Sequence, residues 1–226
     1  MRALLKFPLL YSLFKRILGG REPISASILK EIISKMAQDL KRPPLVLDLG
    51  CGEGGLSKFL GECCEYVGLD ISDKYISFAC KNYGKFGKFY VYDIGLGEIP
   101  SEFLKNREPD FIFLIGVIHH LTDAEFSLIK KGLLDKYVKA AFLSIDGVFL
   151  ENQNLISNIL LRLDRGNHVR WTGGYQKLFE NYNFIICHYT KFPYDYIFFY
   201  RHLPIPSLVS ENFEMLEIQS VNERNE

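Results

Sequence analysis

The spacing of apolar positions changes several times along the chain, and each change predicts an element. Residues 1–18 set Leu4, Leu5, Leu9, Leu10, Leu13, Phe14, Ile17 and Leu18 among Arg2, Lys6, Lys15 and Arg16. That is the pattern of an amphipathic helix, stopped by Gly19-Gly20. A second helix is expected from about Ile24 to Leu40, with Ile28, Ile32, Ile33 and Met36 on one face, and Pro43-Pro44 ends it. The period then shortens. LVLDLG (45–50), YVGLD (66–70), KFYVYD (88–93), DFIFLIG (110–116) and YVKAAFLSID (137–146) read as strands. They alternate with helices over 52–60, 72–82 (capped by Ser72) and 122–136 (opened by the capping-box pair Thr122 and Glu125). A helix over 154–163, a polar glycine-bearing loop over 164–174 and a short helix over 175–181 follow. FIICHY (184–189) and YIFFYR (196–201), joined through Pro193, read as a hairpin.

Strands alternating with helices predict an α/β fold. The sheet is expected to be doubly wound, mostly parallel and seven-stranded, with a closing antiparallel hairpin and N-terminal helices outside it. The expected divisions are a helical segment over 1–42, a main domain over 43–204 that includes the loop region 147–175, and a polar tail over 205–226.

Composition narrows the partners. The formal net charge is zero and 48% of residues are hydrophobic, so no basic face for nucleic acid is expected. Five cysteines, Cys51, Cys63, Cys64, Cys80 and Cys187, show no pairing or metal-ligand spacing. They point to reduced thiols in a cytoplasmic setting, and no metal site is expected. Residues 1–18 are broken by Lys6, Pro8, Lys15 and Arg16, with no cleavage site after them, so they do not read as a signal peptide. Two readings remain for that segment: a lid over the main domain, or a peripheral membrane-surface helix.

The chemistry lies where the first strand ends. Gly50, Gly52 and Gly55 fit G-x-G-x-x-G, and Asp70 closes the next strand twenty residues after Gly50. That is the distance at which an acid meets a ribose in a Rossmann-type fold. Asp48 and Glu53 flank the loop, which carries no lysine or arginine. A pyrophosphate would be repelled there, whereas a sulfonium and an ammonium would be attracted.

These motifs resemble those of class I S-adenosylmethionine-dependent methyltransferases. LVLDLGCGEGGLS, GLD (68–70), YDIGLGEIP (92–100) and FIFLIGVIHHL (111–121) follow that family's order. The resemblance implies S-adenosyl-L-methionine as cofactor. It implies Gly50, Cys51 and Gly52 at the methionine part through their backbone, Asp70 at the ribose hydroxyls, and Asp93 and Ile94 at the adenine, with Asp48, Ile71 and Gly116 as further cofactor-binding candidates.

The fourth and fifth strand ends should then face the methyl acceptor. His119 and His120 are candidates to take a proton or to position the acceptor. Asp146, Arg165, His168, Arg170 and Tyr175 are candidates to bind it, and the two arginines favour an anionic small or medium-sized molecule. Two other functions stay open: an NAD-dependent short-chain-type oxidoreductase and a non-catalytic binding protein with the same fold.

Overall fold

A computed structural model describes residues 26–164, 166–191 and 194–203. The helix expected over 1–18, Arg165 and the tail over 205–226 lie outside the described residues. Seven strands, β1 (Leu45–Leu49), β2 (Glu65–Asp70), β3 (Lys88–Val91), β4 (Phe111–Ile115), β5 (Ala141–Gly147), β6 (Ile185–Lys191) and β7 (Tyr194–Arg201), form one sheet in the order β3-β2-β1-β4-β5-β7-β6. All neighbours are parallel except β5–β7 and β6–β7. The expected closing hairpin is therefore present, with its second strand inserted beside β5.

The central strands are apolar on both faces because both faces are covered. One face packs against α1 (Ala26–Leu40) through Leu29, Ile32 and Ile33, and against α3 (Asp73–Tyr83) through Ile76 and Ala79. The other packs against α4 (Asp123–Ile129) and α6 (Thr172–Leu178), where Phe126, Phe142, Phe179, Phe184 and Phe199 form a continuous ring cluster. The remaining helices are α2 (Ser57–Leu60) and α5 (Leu155–Leu163). Among the described residues no helix is long and apolar enough to cross a membrane.

The two ends of the sheet differ in chemistry. At the amino end, Arg42 grips Asp110 through two 2.7 Å contacts, and Glu65 accepts from Lys105 and Arg107 at 2.6 Å each. These charges are mutually satisfied. At the carboxyl end the strands run into glycines and carboxylates: Gly50, Asp70, Gly116 and Asp146.

Three boundaries depart from the expected ones. The fifth strand begins at Ala141 and not at residue 137. Tyr137 and Ala140 instead finish the preceding helical turns, whose carbonyls at Leu134, Tyr137 and Ala140 accept from the Arg201 guanidinium. The helix expected over 52–60 shortens to α2, because residues 51–56 are held in turns. The helix expected over 175–181 starts at Thr172, with Gly173 and Gly174 in its first turn. A Cβ on Gly174 would lie 3.2 Å from the Arg170 side chain, so glycine here serves close approach and not loop flexibility. Both expected caps are present: Ser72 accepts from the Tyr75 amide, and Thr122 and Glu125 form the capping box.

Segment 148–157 is tied to the hairpin by one buried carboxylate. Asp195 accepts from Gln153 Nε2 at 2.8 Å, Ser157 Oγ at 2.8 Å and Thr190 Oγ1 at 2.6 Å. Removing it strands these donors in the interior, at about 1–3 kcal/mol for the groups left unmet. Asp195→Ala is expected to lower the urea midpoint by a corresponding amount without changing the slope. A midpoint equal to that of the parent protein would show that solvent satisfies these groups.

Candidate active site

The turn after β1 is built from three glycines with left-handed backbone, Gly50 (φ 75°), Gly52 (φ 55°) and Gly54 (φ 74°). Gly54 abuts Phe89 and Ala79 so closely that a Cβ would meet them at 2.6 and 2.9 Å. The motif match had assigned its third glycine to Gly55, which has ordinary backbone and open space beside it. Gly54 is the position the fold requires.

Hydrogen bonding turns this loop's donors inward. The amides of Gly50 and Cys51 both donate to the Leu69 carbonyl, at 2.7 and 2.9 Å, and that of Gly54 donates to Cys51 O at 3.0 Å. The Gly52 amide donates to Asp70 Oδ2 at 2.9 Å, and Ser72 N donates to the other carboxylate oxygen at 2.8 Å. Asp70 is thereby fixed at the mouth of the loop. No atom lies within 4 Å of where a Cβ on Gly52 or Gly55 would stand, so the space above the loop is open. Ile71, beside Asp70, leaves 69% of its surface uncovered, an apolar face available to a flat ring.

Below the loop, buried Asp48 accepts a short hydrogen bond from the Tyr66 hydroxyl. Burial, with the Asp48 charge behind it, pushes the Tyr66 phenol well above its usual range. The Cys51 side chain turns toward β2, where Gly68 leaves room for it. Burial and then the charges of Asp48 and Asp70 raise its thiol pKa, so it is not a nucleophile. Asp93 accepts from Gly95 N at 2.9 Å and caps a short 3-10 turn over Ile94–Leu96. The Ile94 side chain lies in the core, leaving only its backbone for a ligand.

A second cluster adjoins the first through β4. Gly116 (φ 69°) turns the chain, and a Cβ on Gly50 would strike Val117 Cγ2 at 2.5 Å, so the two strand ends touch. This is where strand order reverses, the switch point at which open α/β sheets bind ligands. Two residues on, His119 is clasped between carboxylates. Its Nδ1 lies 2.7 Å from Asp146 Oδ1 and its Nε2 lies 3.3 Å from Asp164 Oδ1. Its own amide donates to Asp146 Oδ1 at 3.2 Å. Burial alone would lower the imidazole pKa, but the hydrogen bonds and charges of Asp146 and Asp164 outweigh it and raise the value to about 9. For Asp164, burial acts upward, while His119 and the Gly166 amide carry the value down to about 2.

These contacts reassign several expected roles. With a carboxylate at each ring nitrogen, His119 stands as the link between Asp146 and Asp164. Asp146 is 1% exposed and serves His119, not an acceptor. Arg170 spends all five of its N–H groups on Asp123 and on the carbonyls of Ile118, Leu121 and His168. It is a clamp holding the histidine turn to the following loop, and it offers no fork to an anion. Tyr175 is wholly buried and donates to Gly147 O at 3.0 Å. The His168 amide donates to His119 O at 3.0 Å. Arg165 lies outside the described residues. His120 remains exposed at the site, its ring centroid 4.2 Å from that of His119.

Sequence reasoning passed over Asp164 as a partner of His119 because 45 positions separate them, and Gly166 because its need is steric. A Cβ on Gly166 would stand 2.0 Å from His119 Cδ2. The expectation of no metal site also meets a contrary arrangement: ligand atoms of His119, His120 and Asp164 lie within 4.8 Å of one another. A surface concavity of about 420 Å³ between the end of α6 and the start of β6, lined by Phe179, Tyr182, Phe184 and Ile186 among others, is separate from both clusters.

Residues 47–149 match the family model described as a methyltransferase domain. This stretch, a little under half of the chain, is similar to methyltransferase domains. A curated relative, the probable (S)-tetrahydroprotoberberine N-methyltransferase 2 of Papaver bracteatum, is 31% identical over 104 residues. That stretch covers 45% of this chain and 28% of the relative, so the chain matches only about a quarter of that protein's length. Two solved structures share the fold. The plantazolicin methyltransferase BpumL, in complex with a triazolic desmethylPZN analog and SAH, is 14% identical with a TM-score of 0.59, over 88% of this chain and 93% of that one. The magnesium protoporphyrin IX methyltransferase ChlM of Synechocystis PCC 6803, with bound SAH, is 20% identical with a TM-score of 0.53, over 78% and 83%. Within the matched stretch, β1, β2 and β4 carry the glycine turn, Asp70 and the histidine turn.

The clasped imidazole makes stability depend on pH. Its folded pKa, about 9, lies above the unfolded value near 6.5. The clasp therefore contributes fully below about pH 6.5 and is lost as pH rises through 9, an effect of up to about 3 kcal/mol. On the acid side, Asp164 contributes above about pH 4, and its share is lost as pH falls through about 2. Thermal melts from pH 6 to 10 should show Tm falling more steeply for the parent than for Asp164→Asn. Parallel curves would rule out the clasp as the source.

Proposed function

We propose that the chain is an S-adenosylmethionine-dependent methyltransferase acting on a small or medium-sized acceptor. The observation that carries this reading is the direction of the loop's hydrogen bonds. With the amides of Gly50, Cys51, Gly52 and Gly54 turned inward, the loop presents carbonyl oxygens and the Asp70 carboxylate. Those groups welcome an ammonium, a sulfonium and ribose hydroxyls. A pyrophosphate needs free N–H donors at such a turn and would meet carboxylates instead, which disfavours NAD.

S-adenosylmethionine supplies an electrophilic methyl group on a sulfonium. The chain's own residues do the rest. Asp70 accepts from the ribose hydroxyls, Ile71 covers one face of the adenine, and the carboxylate of Asp93 and the backbone of Ile94 reach its edge. Val117, wedged against Gly50, sets the distance between the cofactor side and the acceptor side. Alignment of acceptor, methyl and sulfur is where such a reaction gains most, because charge disperses in its transition state. The charged His119, locked by Asp146 and Asp164, holds the turn rigid. His120 is the side chain at that turn positioned to take or orient an acceptor proton. The anionic acceptor suggested by Arg165 and Arg170 loses the second of those supports, since Arg170 is committed to its own chain. The match to methyltransferases over residues 47–149 supports the same reading.

Two measurements test it. Calorimetric titration should show S-adenosylhomocysteine binding and NAD not binding. Asp70→Ala should weaken S-adenosylhomocysteine by about 1–3 kcal/mol, roughly five- to 150-fold. Binding of NAD in place of S-adenosylhomocysteine would overturn the reading. His120→Ala should lower turnover of any identified acceptor while leaving cofactor affinity within about twofold of the parent value. A collapse of cofactor affinity in a folded variant would put His120 on the wrong side of the site.

A further inference from the structure

We infer that His119, His120 and Asp164 form a binding site for a first-row divalent cation, zinc being the best match to two imidazoles and a carboxylate. Their ligand atoms already lie within 4.8 Å of one another, and His119 Nε2 and Asp164 Oδ1 stand 3.3 Å apart. Around an ion with bonds of about 2.0–2.2 Å, neighbouring ligand atoms sit roughly 3–4 Å apart. His120, the third member of the set, is exposed.

The surroundings are those of a metal-bound histidine. Such an imidazole almost always gives its second nitrogen to a carboxylate, which fixes its tautomer and aims its lone pair. Here Asp146 takes Nδ1 at 2.7 Å and is itself 1% exposed and steadied by Ser144 Oγ at 3.3 Å. Gly166 lies against the ring edge, where any larger residue would collide with Cδ2, and so bars rotation. The ring is oriented before an ion arrives.

Charge supports the assignment. Asp146 and Asp164 place two carboxylates against the ring of His119, and a divalent cation there would offset them, which matters where charge is buried. Three protein ligands leave one or more positions open for water or an acceptor oxygen. That last step, and only that step, rests on the methyltransferase reading.

The test uses the full chain, stripped with a chelator and titrated with Co2+ while its visible d–d absorption is followed, then displaced with Zn2+. The expected result is one ion per chain. Asp164→Asn and His120→Asn should each weaken binding at least tenfold with unchanged circular dichroism, and His202→Gln, remote in the fold, should bind as the parent does. No saturable absorption, or parent-like affinity in both site variants, would overturn the site, as would loss of binding in His202→Gln. S-adenosylhomocysteine affinity measured on the same samples keeps the two readings apart. Its failure with metal binding intact would refute only the proposed function.

Discussion

One carbonyl organises the carboxyl edge of this sheet. Leu69 O receives the amides of both Gly50 and Cys51, which bends the chain leaving β1 across the end of β2. That bend needs a left-handed residue at Gly50 and brings Asp70 under the Gly52 amide. A single main-chain contact thus fixes where this edge places its carboxylate. The paired charges at the opposite edge, Arg42 with Asp110 and Glu65 with Lys105 and Arg107, show the contrast: there these cations meet anions within the chain.

The acceptor side is organised by a buried ion cluster instead of a main-chain turn. His119 connects β4, β5 and the end of α5 through Asp146 and Asp164, and Arg170 connects the same turn to the next loop. Both residues were candidates for chemistry on an acceptor. Their side chains are directed inward, each held by partners from other segments of the chain. Rigidity here comes from directional bonds, which hold position more tightly than apolar packing but tolerate substitution poorly.

Much of this was legible in the sequence, and the limits have physical causes. Period-two and buried-strand patterns are local, so β1 to β4, the hairpin and the caps at Ser72 and Thr122 could be read directly. The glycine motif was readable as a motif, yet the choice of Gly54 over Gly55 depends on contact with Phe89 and Ala79, which lie far along the chain. The boundary at Ala141 failed for a similar reason. Tyr137 and Val138 favour a strand by propensity, but Arg201 supplies the donors that keep residues 137–140 turned. The roles of Asp146, Arg170 and Tyr175 were misjudged because residue type signals that a side chain can bind a ligand, not that another part of the chain has already taken it. The pairing of His119 with Asp164 has no local signature at all.

The position of β7 has a consequence for synthesis. Among the described strands it is the last in the chain, yet it lies between β5 and β6, and it carries Arg201 near its end. A nascent chain that has emitted β6 has nowhere to place it, because the edge of β5 is reserved for a strand still to come. The first five strands can pair as they emerge, whereas β6 joins the sheet only through β7. That interval leaves the edge of β5 unpaired, together with the apolar side chains of Phe142 and Leu143. A ribosome stalled before residue 201 would therefore present the sort of surface that holding chaperones bind.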